Sequence, residues 1–298
     1  MSVERSWMEG TPKAVLLATD LSARCDRALD RAVTLAVQWQ AKLVAVHAME
    51  APARVEEAEV PSWRRAADPQ RMAEARIRSE LREMSPELAV VVETGDSVEA
   101  ILRTAASQRS GLIVTGVSRD ELLGRLVLGN TVSRLVRRSA LPVLVVRKRG
   151  LQPYRHVVVA TDFSESSRHA LEASTRFFPD TVLTLFNACD APMAGLAMDP
   201  ASFREQFRIA AQKEAAAFLG ASDLSAFKGP RPEVLVEHGD PERLIYEYVQ
   251  HMGVDLVVVG SHGRSALFDV MIGSVAQGLL TQLPCDVLVV REPRAKAG

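Results

Sequence analysis

Three short stretches in the second half of the chain carry residue types suited to holding phosphate. They are Thr161-Asp162, Gly260-Ser261-His262-Gly263 and Gly273-Ser274. Glycines tolerate positive φ and let backbone N–H groups approach a ligand with no Cβ in the way. Successive N–H groups in such a loop form a hollow that binds anions. Ser274 is placed to open a helix whose unsatisfied N–H groups and dipole favour negative charge. Asp162 can accept from ribose hydroxyls or help hold a metal, and His262 and Arg264 are donors beside the phosphate position. Each residue also has a plainer use. Gly260 and Gly273 punctuate a strand and a helix, Ser274 with Gln277 forms a capping box, and Asp162 with Ser164 can cap the helix that follows. His262 can be an ordinary exposed histidine. Their joint placement at one end of one sheet favours the phosphate site.

The elements that must position these residues are written twice in the 298-residue chain. Ala14–Ser22 matches His156–Ser164, Leu43–His47 matches Leu183–Asn187, and Glu93–Asp96 matches Glu237–Asp240. Leu112–Gly116 matches Leu256–Gly260, and Leu141–Val146 matches Cys285–Val290, all in order and at offsets of 140 to 144. So long a period is a duplicated domain rather than a solenoid. Short Val/Leu/Ile runs read as buried strands at 14–18, 43–47, 89–92, 112–115 and 143–146, and again at 156–160, 182–186, 233–236, 256–259 and 287–290. Stretches with helical periodicity fall between them at 24–40, 71–84, 97–108 and 130–138, then 165–178, 201–219, 241–252 and 274–282. The expected fold class is therefore α/β: two tandem Rossmann-like domains, 1–150 and 151–298, each a five-stranded parallel sheet with four helices. In such sheets ligands bind beyond the carboxyl ends of the strands. The joint Arg147–Pro153 is short and keeps the halves close.

Composition removes several alternatives. Residues 1–150 carry 23 Lys/Arg against 19 Asp/Glu and residues 151–298 carry 13 against 18, so neither half has a nucleic-acid footprint. Aromatic residues are 5%, too few for base stacking to be a main activity. The three cysteines, Cys25, Cys189 and Cys285, are widely spaced and suggest neither a disulfide framework nor a zinc site. With no apolar run near the length of a membrane span and no signal-like N-terminus, the expectation is a cytoplasmic protein that engages neither membrane nor nucleic acid.

The chain resembles the universal stress protein family over both halves, as a tandem arrangement. The marks are Thr-Asp-Phe-Ser at 161–164, the Gly-Asp-Pro turn at 239–241, and a G-x2-G-x9-G-S/T motif at Gly260, Gly263, Gly273 and Ser274. All three are complete in the second half. The resemblance implies an adenine-nucleotide α-hydrolase-like fold that binds ATP, with Mg²⁺ or Mn²⁺ accompanying the nucleotide, and a role in stress survival. It implies that Asp162 contacts ribose or adenine, Ala188 meets adenine through its backbone, and Gly260 borders the ribose. Gly263, Gly273, Ser274 and Val275 would hold the phosphates, with His262 and Arg264 beside them and Ala160, Thr161 and Val259 completing the walls.

The first half keeps Asp20, Ala48, Gly116 and Gly129, but Arg119 stands at the second glycine and Asn130 at the Ser/Thr position. Arginine resists positive φ, so this half is expected to bind nucleotide weakly or not at all. Asn130 is expected to cap its helix. The apolar last strands, 143–146 and 287–290, are expected to pair with each other and make one chain a pseudo-dimer. A homodimer and an unidentified protein partner complete the expected contacts. The leading functional expectation is a nucleotide-dependent regulator. The Walker lysine motif and the SGGxDS loop are both absent, so a slow ATPase or phosphotransferase stands as the alternative, beside an interaction scaffold with a relic pocket.

Overall fold

The computed structural model of the chain describes residues 7–22, 25–49, 68–81, 87–117, 128–189, 200–263 and 272–292. Arg119, Arg264 and most of the two loops that follow the second strand of each half lie outside these residues.

The first half runs β1 (Ala14–Ala18), α1 (Asp26–Trp39), β2 (Lys42–Met49), α2 (Pro69–Leu81), β3 (Leu88–Thr94), α3 (Ser97–Ser107), β4 (Leu112–Gly116), α4 (Asn130–Arg138) and β5 (Val143–Val146). The second repeats it as β6 (His156–Ala160), α5 (Glu165–Phe177), β7 (Val182–Cys189), α6 (Pro200–Ala221), β8 (Glu233–His238), α7 (Pro241–Met252), β9 (Leu256–Gly260), α8 (Ser274–Gln282) and β10 (Asp286–Val290). The ten strands form one sheet in the order β3-β2-β1-β4-β5-β10-β9-β6-β7-β8. Pairing is parallel within each half. At the centre β10 meets β5 antiparallel, with Val287 opposite Val145 and Leu288 opposite Leu144. The expected pairing of the two last strands thus occurs within one chain.

The central strands are apolar on both faces because helices cover both. Val15–Leu17, Leu112–Val114, Val157–Val159 and Leu256–Val258 are all fully buried. The order β2-β1-β4 in one half, and β7-β6-β9 in the other, means that connections leave the first strand in opposite directions. A crevice therefore opens at the carboxyl ends of β1 and β4, and of β6 and β9.

Candidate nucleotide site at the carboxyl ends of β6 and β9

β6 ends at Ala160 and passes into a tight turn. Thr161 Oγ1 accepts from the N–H of Phe163 at 2.9 Å, and Asp162 Oδ1 accepts from the N–H of Ser164 at 3.1 Å. These two bonds hold Phe163 in the left-handed region at φ 61°, which a bulky residue rarely enters unaided. Asn187 Nδ2 on β7 donates to the Thr161 carbonyl at 2.8 Å and pins the turn to the sheet. Ser164, not Asp162, caps α5, accepting from the Ser167 N–H at 3.3 Å. The first half builds the same turn. Leu21 is left-handed at φ 60°, held by Thr19 Oγ1 and by the Asp20–Ser22 contact, and His47 Nδ1 lies 2.9 Å from the Thr19 carbonyl oxygen.

The loop after β9 returns to the same spot. The Ser261 N–H donates to the Val290 carbonyl at 2.9 Å, and the His262 N–H donates to Ser166 Oγ at 3.3 Å. Ser261 Oγ sits 2.7 Å from His262 Nδ1. The Gly273 N–H donates to the Ser261 carbonyl at 2.9 Å, which draws the start of α8 against residues 260–263.

Two expectations about local geometry need correction. Gly260, Gly263 and Gly273 do not take positive φ; Gly273 lies at φ −58°, ψ 148°. The need for glycine is steric instead. A Cβ on Gly260 would stand 2.6 Å from Ser166 Oγ and 2.8 Å from the Ser166 carbonyl, so this glycine lets β9 meet α5. A Cβ on Gly263 would stand 2.8 Å from Asp162 Oδ2, so this glycine leaves room for the carboxylate. The capping box also fails. Gly273 is the N-cap of α8 and Ser274 its first helical residue, with no side-chain cap bond. Gly129 likewise caps α4, and Asn130 is the first helical residue rather than the cap. The first turns of both helices have no capping side-chain bond and line a cavity.

The cavity in the second half holds about 370 Å³. Thr161, Asp162, Ser167, His262 and Ser274 supply its polar side chains, and Gly260, Gly263, Gly273 and Val275 its loop backbone. Ala160, Ala188 and Val259 line it as the sequence suggested. Pattern reasoning missed Ser167, Phe186, Pro241, Ile245 and Ala276. Phe186 lies two residues before Ala188 on a strand, so it shares that face. The α7 residues needed the topology, because nothing local in the sequence brings α7 over the end of β6. Among the described residues no cluster of three His, Cys, Asp or Glu side chains is placed to hold a metal.

The first half has a smaller cavity of about 250 Å³ at the matching place, lined by Asp20, Ala48, Gly116, Gly129 and Asn130 among others. Its mouth differs. Ser97 and Thr131 replace Pro241 and Val275, and their hydroxyls approach to 3.5 Å. Asp20 Oδ1 receives Ser22 Oγ at 2.6 Å and Cys25 Sγ at 3.1 Å. Burial opposes ionisation of Asp20, but these hydrogen bonds outweigh it and hold the carboxyl below its ordinary range. On the exposed face of α4, Arg134 pairs with Asp96 at 2.8 Å and Arg138 with Glu99 at 2.5 Å.

Comparison with known proteins agrees with the duplicated architecture. The sequence profile described as the universal stress protein family matches residues 12–147 and again 153–291. Universal stress protein YxiE of Bacillus subtilis is 29% identical over 147 residues, covering 46% of this chain and 99% of that protein. A functionally unknown protein of Pseudomonas aeruginosa PAO1 has a similar structure, with TM-score 0.67 and 20% identity over 97% of this chain and 95% of its own. A universal stress protein of Archaeoglobus fulgidus follows at TM-score 0.63 and 16% identity, over 94% of this chain and 98% of its own. At these identities the structural likenesses show the fold alone.

Proposed function

The chain belongs to the universal stress protein family in two tandem copies, and from that premise we propose that its second half binds ATP or a close relative and works as a nucleotide-dependent regulator in the cytoplasm. One observation carries the reading. The Gly263 backbone, the uncapped start of α8 and the Asp162 carboxylate meet at one end of a cavity whose other walls include Phe186, Ile245, Val259 and Ala276. A nucleotide needs this division. Its phosphates take backbone N–H groups and the helix dipole, its ribose takes a carboxylate acceptor, and its base takes apolar walls.

Mg²⁺ fits as an accompaniment to the phosphates. It is typically held by substrate phosphates, water and one or two carboxylates, and Asp162 is the carboxylate among the lining residues. Ser274, Val275 and Gly263 would hold the phosphates, Asp162 the ribose, and the Ala188 backbone the base. Ligand binding would favour one arrangement of the loops around the cavity, and a partner would read that arrangement.

Calorimetric titration of the full chain with Mg-ATP tests the reading. One site per chain is expected, retained in Asp20→Asn and lost in Asp162→Asn. Absence of both heat and thermal shift at millimolar nucleotide overturns it.

A further inference from the structure

The joint between the halves contains a buried carboxylate that the proposed site does not use. Asp286 opens β10 and is completely buried. Its Oδ1 accepts from the N–H groups of Arg147 at 2.8 Å and Lys148 at 3.0 Å, where β5 runs into the linker. Its Oδ2 accepts from the Tyr154 hydroxyl at 2.6 Å and lies 3.4 Å from Arg31 Nε on α1. Arg31 is itself buried, with its guanidinium 3.9 Å above the Tyr154 ring and Nη1 bonded to the Gln152 carbonyl at 2.8 Å. The linker is shaped around it, for a Cβ on Gly150 would fall 1.6 Å from Arg31 Nη2.

The arrangement is not two-fold symmetric, although the backbone around it nearly is. By the offset of the last strands, the first-half counterpart of Asp286 is Pro142. By the offset of the Thr-Asp turns, the second-half counterpart of Arg31 is Ala173. One set of contacts at the joint is reciprocal: Arg147 donates to the Leu280 carbonyl in α8, and Arg291 to the Arg137 carbonyl in α4. Other contacts are also one-sided, such as Trp39 against Phe177 and Phe178 and Arg27 on the Arg147 carbonyl, but Arg31–Asp286 is the pair that buries both its charges at the joint.

We propose that the Asp286–Arg31 pair makes the β10 edge an interaction surface that accepts only a first-half partner, so that the halves join β5 to β10 and not like to like. A β10–β10 contact between two chains would bury two Asp286 carboxylates against Ala173, with no guanidinium. A β5–β5 contact would bury two Arg31 guanidinium groups against Pro142, with no carboxylate. Uncompensated buried charge is strongly unfavourable, whereas the apolar strands Val143–Val146 and Val287–Val290 would tolerate either mispairing. One buried polar contact can set register and partner choice in this way. The occupant of the edge is therefore a first half, its own or that of a second copy by exchange.

The test uses the full chain and four variants: Arg31→Leu, Asp286→Leu, the double variant, and the milder Asp286→Asn. Each is unfolded in urea, refolded at high protein concentration and sized by light scattering. Each single change is expected to lower the unfolding midpoint, and the double variant to lose less than the two together. The double variant and Asp286→Asn are expected to yield higher oligomers as a major refolding product, where the unaltered chain yields one species. Additive losses of midpoint, or refolding of both the double variant and Asp286→Asn to the wild-type species alone, overturn the proposal.

Discussion

Replacing Gly263 by alanine should weaken nucleotide binding by one to two orders of magnitude while leaving the fold standing. The added Cβ would lie 2.8 Å from Asp162 Oδ2, where ordinary van der Waals contact begins at 3.4 Å, so the carboxylate must withdraw by about 0.6 Å. It cannot do so freely, because Asp162 Oδ1 is bonded to the Ser164 N–H at 3.1 Å in a turn that also holds Phe163 left-handed. The withdrawal removes an acceptor from the ribose position, and the methyl occupies space beside a backbone assigned to phosphate. Loss of one hydrogen bond involving a charged group is worth about 1.5–3 kcal/mol. At 1.4 kcal/mol per decade that raises Kd by about 10- to 150-fold. Asp162 is only half-buried and no backbone atom stands in the way of the new methyl, so the unfolding midpoint should move little. Calorimetric titration with Mg-ATP, beside a thermal unfolding trace, separates the two quantities. A folded Gly263→Ala protein with Kd within about twofold of wild type would overturn this placement of ribose and phosphate.

The neighbouring glycine should behave in the opposite way. Gly260→Ala drives a Cβ into the backbone of Ser166 on α5, so chemical denaturation should register a loss of about 1–3 kcal/mol, typical of overpacking. Asp223 should contribute stability that acid removes. Ser225 through its hydroxyl and N–H, and then Arg176, hold its carboxyl down from 3.8 to about 2. A depressed folded-state value stabilises above the unfolded value and is lost as pH falls through the folded one. Asp223→Ala should therefore be less stable than wild type near neutrality, and the difference should close between pH 3.8 and about 2 in unfolding curves taken across that range. Burial pushes the Cys25 thiol up to about 11 and the Cys285 thiol to about 12. Both should resist iodoacetamide at pH 8 in the native protein, as peptide mass mapping would read, and labelling at the rate of a free thiol would refute this.

The duplicated α/β plan was legible because buried parallel strands must be apolar on both faces. Runs such as Val157–Val159 and Leu256–Val258 can therefore hardly be anything else between amphipathic helices. Observed strand and helix limits fall within three residues of the periodicity, and the longest strand departure is Val182–Cys189, where pairing with β8 continues past the apolar run. The loop and turn residues of the candidate site were legible for a different reason: the ends of β6 and β9 are adjacent in any such sheet. Ile245 and Pro241 were not, because only the three-dimensional path of α7 brings them over the cavity. Cap positions were misread by one residue. Ser274 and Asn130 have good capping side chains, but glycine occupies the cap, which leaves the amide groups exposed to the cavity instead of consumed by a neighbour.

That displaced cap links the two levels of the structure. A serine at the cap position would satisfy the first N–H groups of α8 by itself, and a glycine there leaves them for something else. Both halves carry the glycine cap, and both carry the left-handed turn after their first strand, at Leu21 and Phe163. What separates the halves is therefore not this shared backbone but the side chains set upon it. Phe186 stands where the first half has Val46, Pro241 where it has Ser97, and Val275 where it has Thr131, and the first-half cavity is the smaller one. The joint obeys the same logic, since the antiparallel β5–β10 ladder carries the buried Asp286–Arg31 pair on one side and Pro142 and Ala173 at the matching positions on the other. At the cavity and at the seam, then, the two copies set different side chains on matching backbone. Repeat matching, which finds what the halves share, passes over those positions because they are where the copies differ.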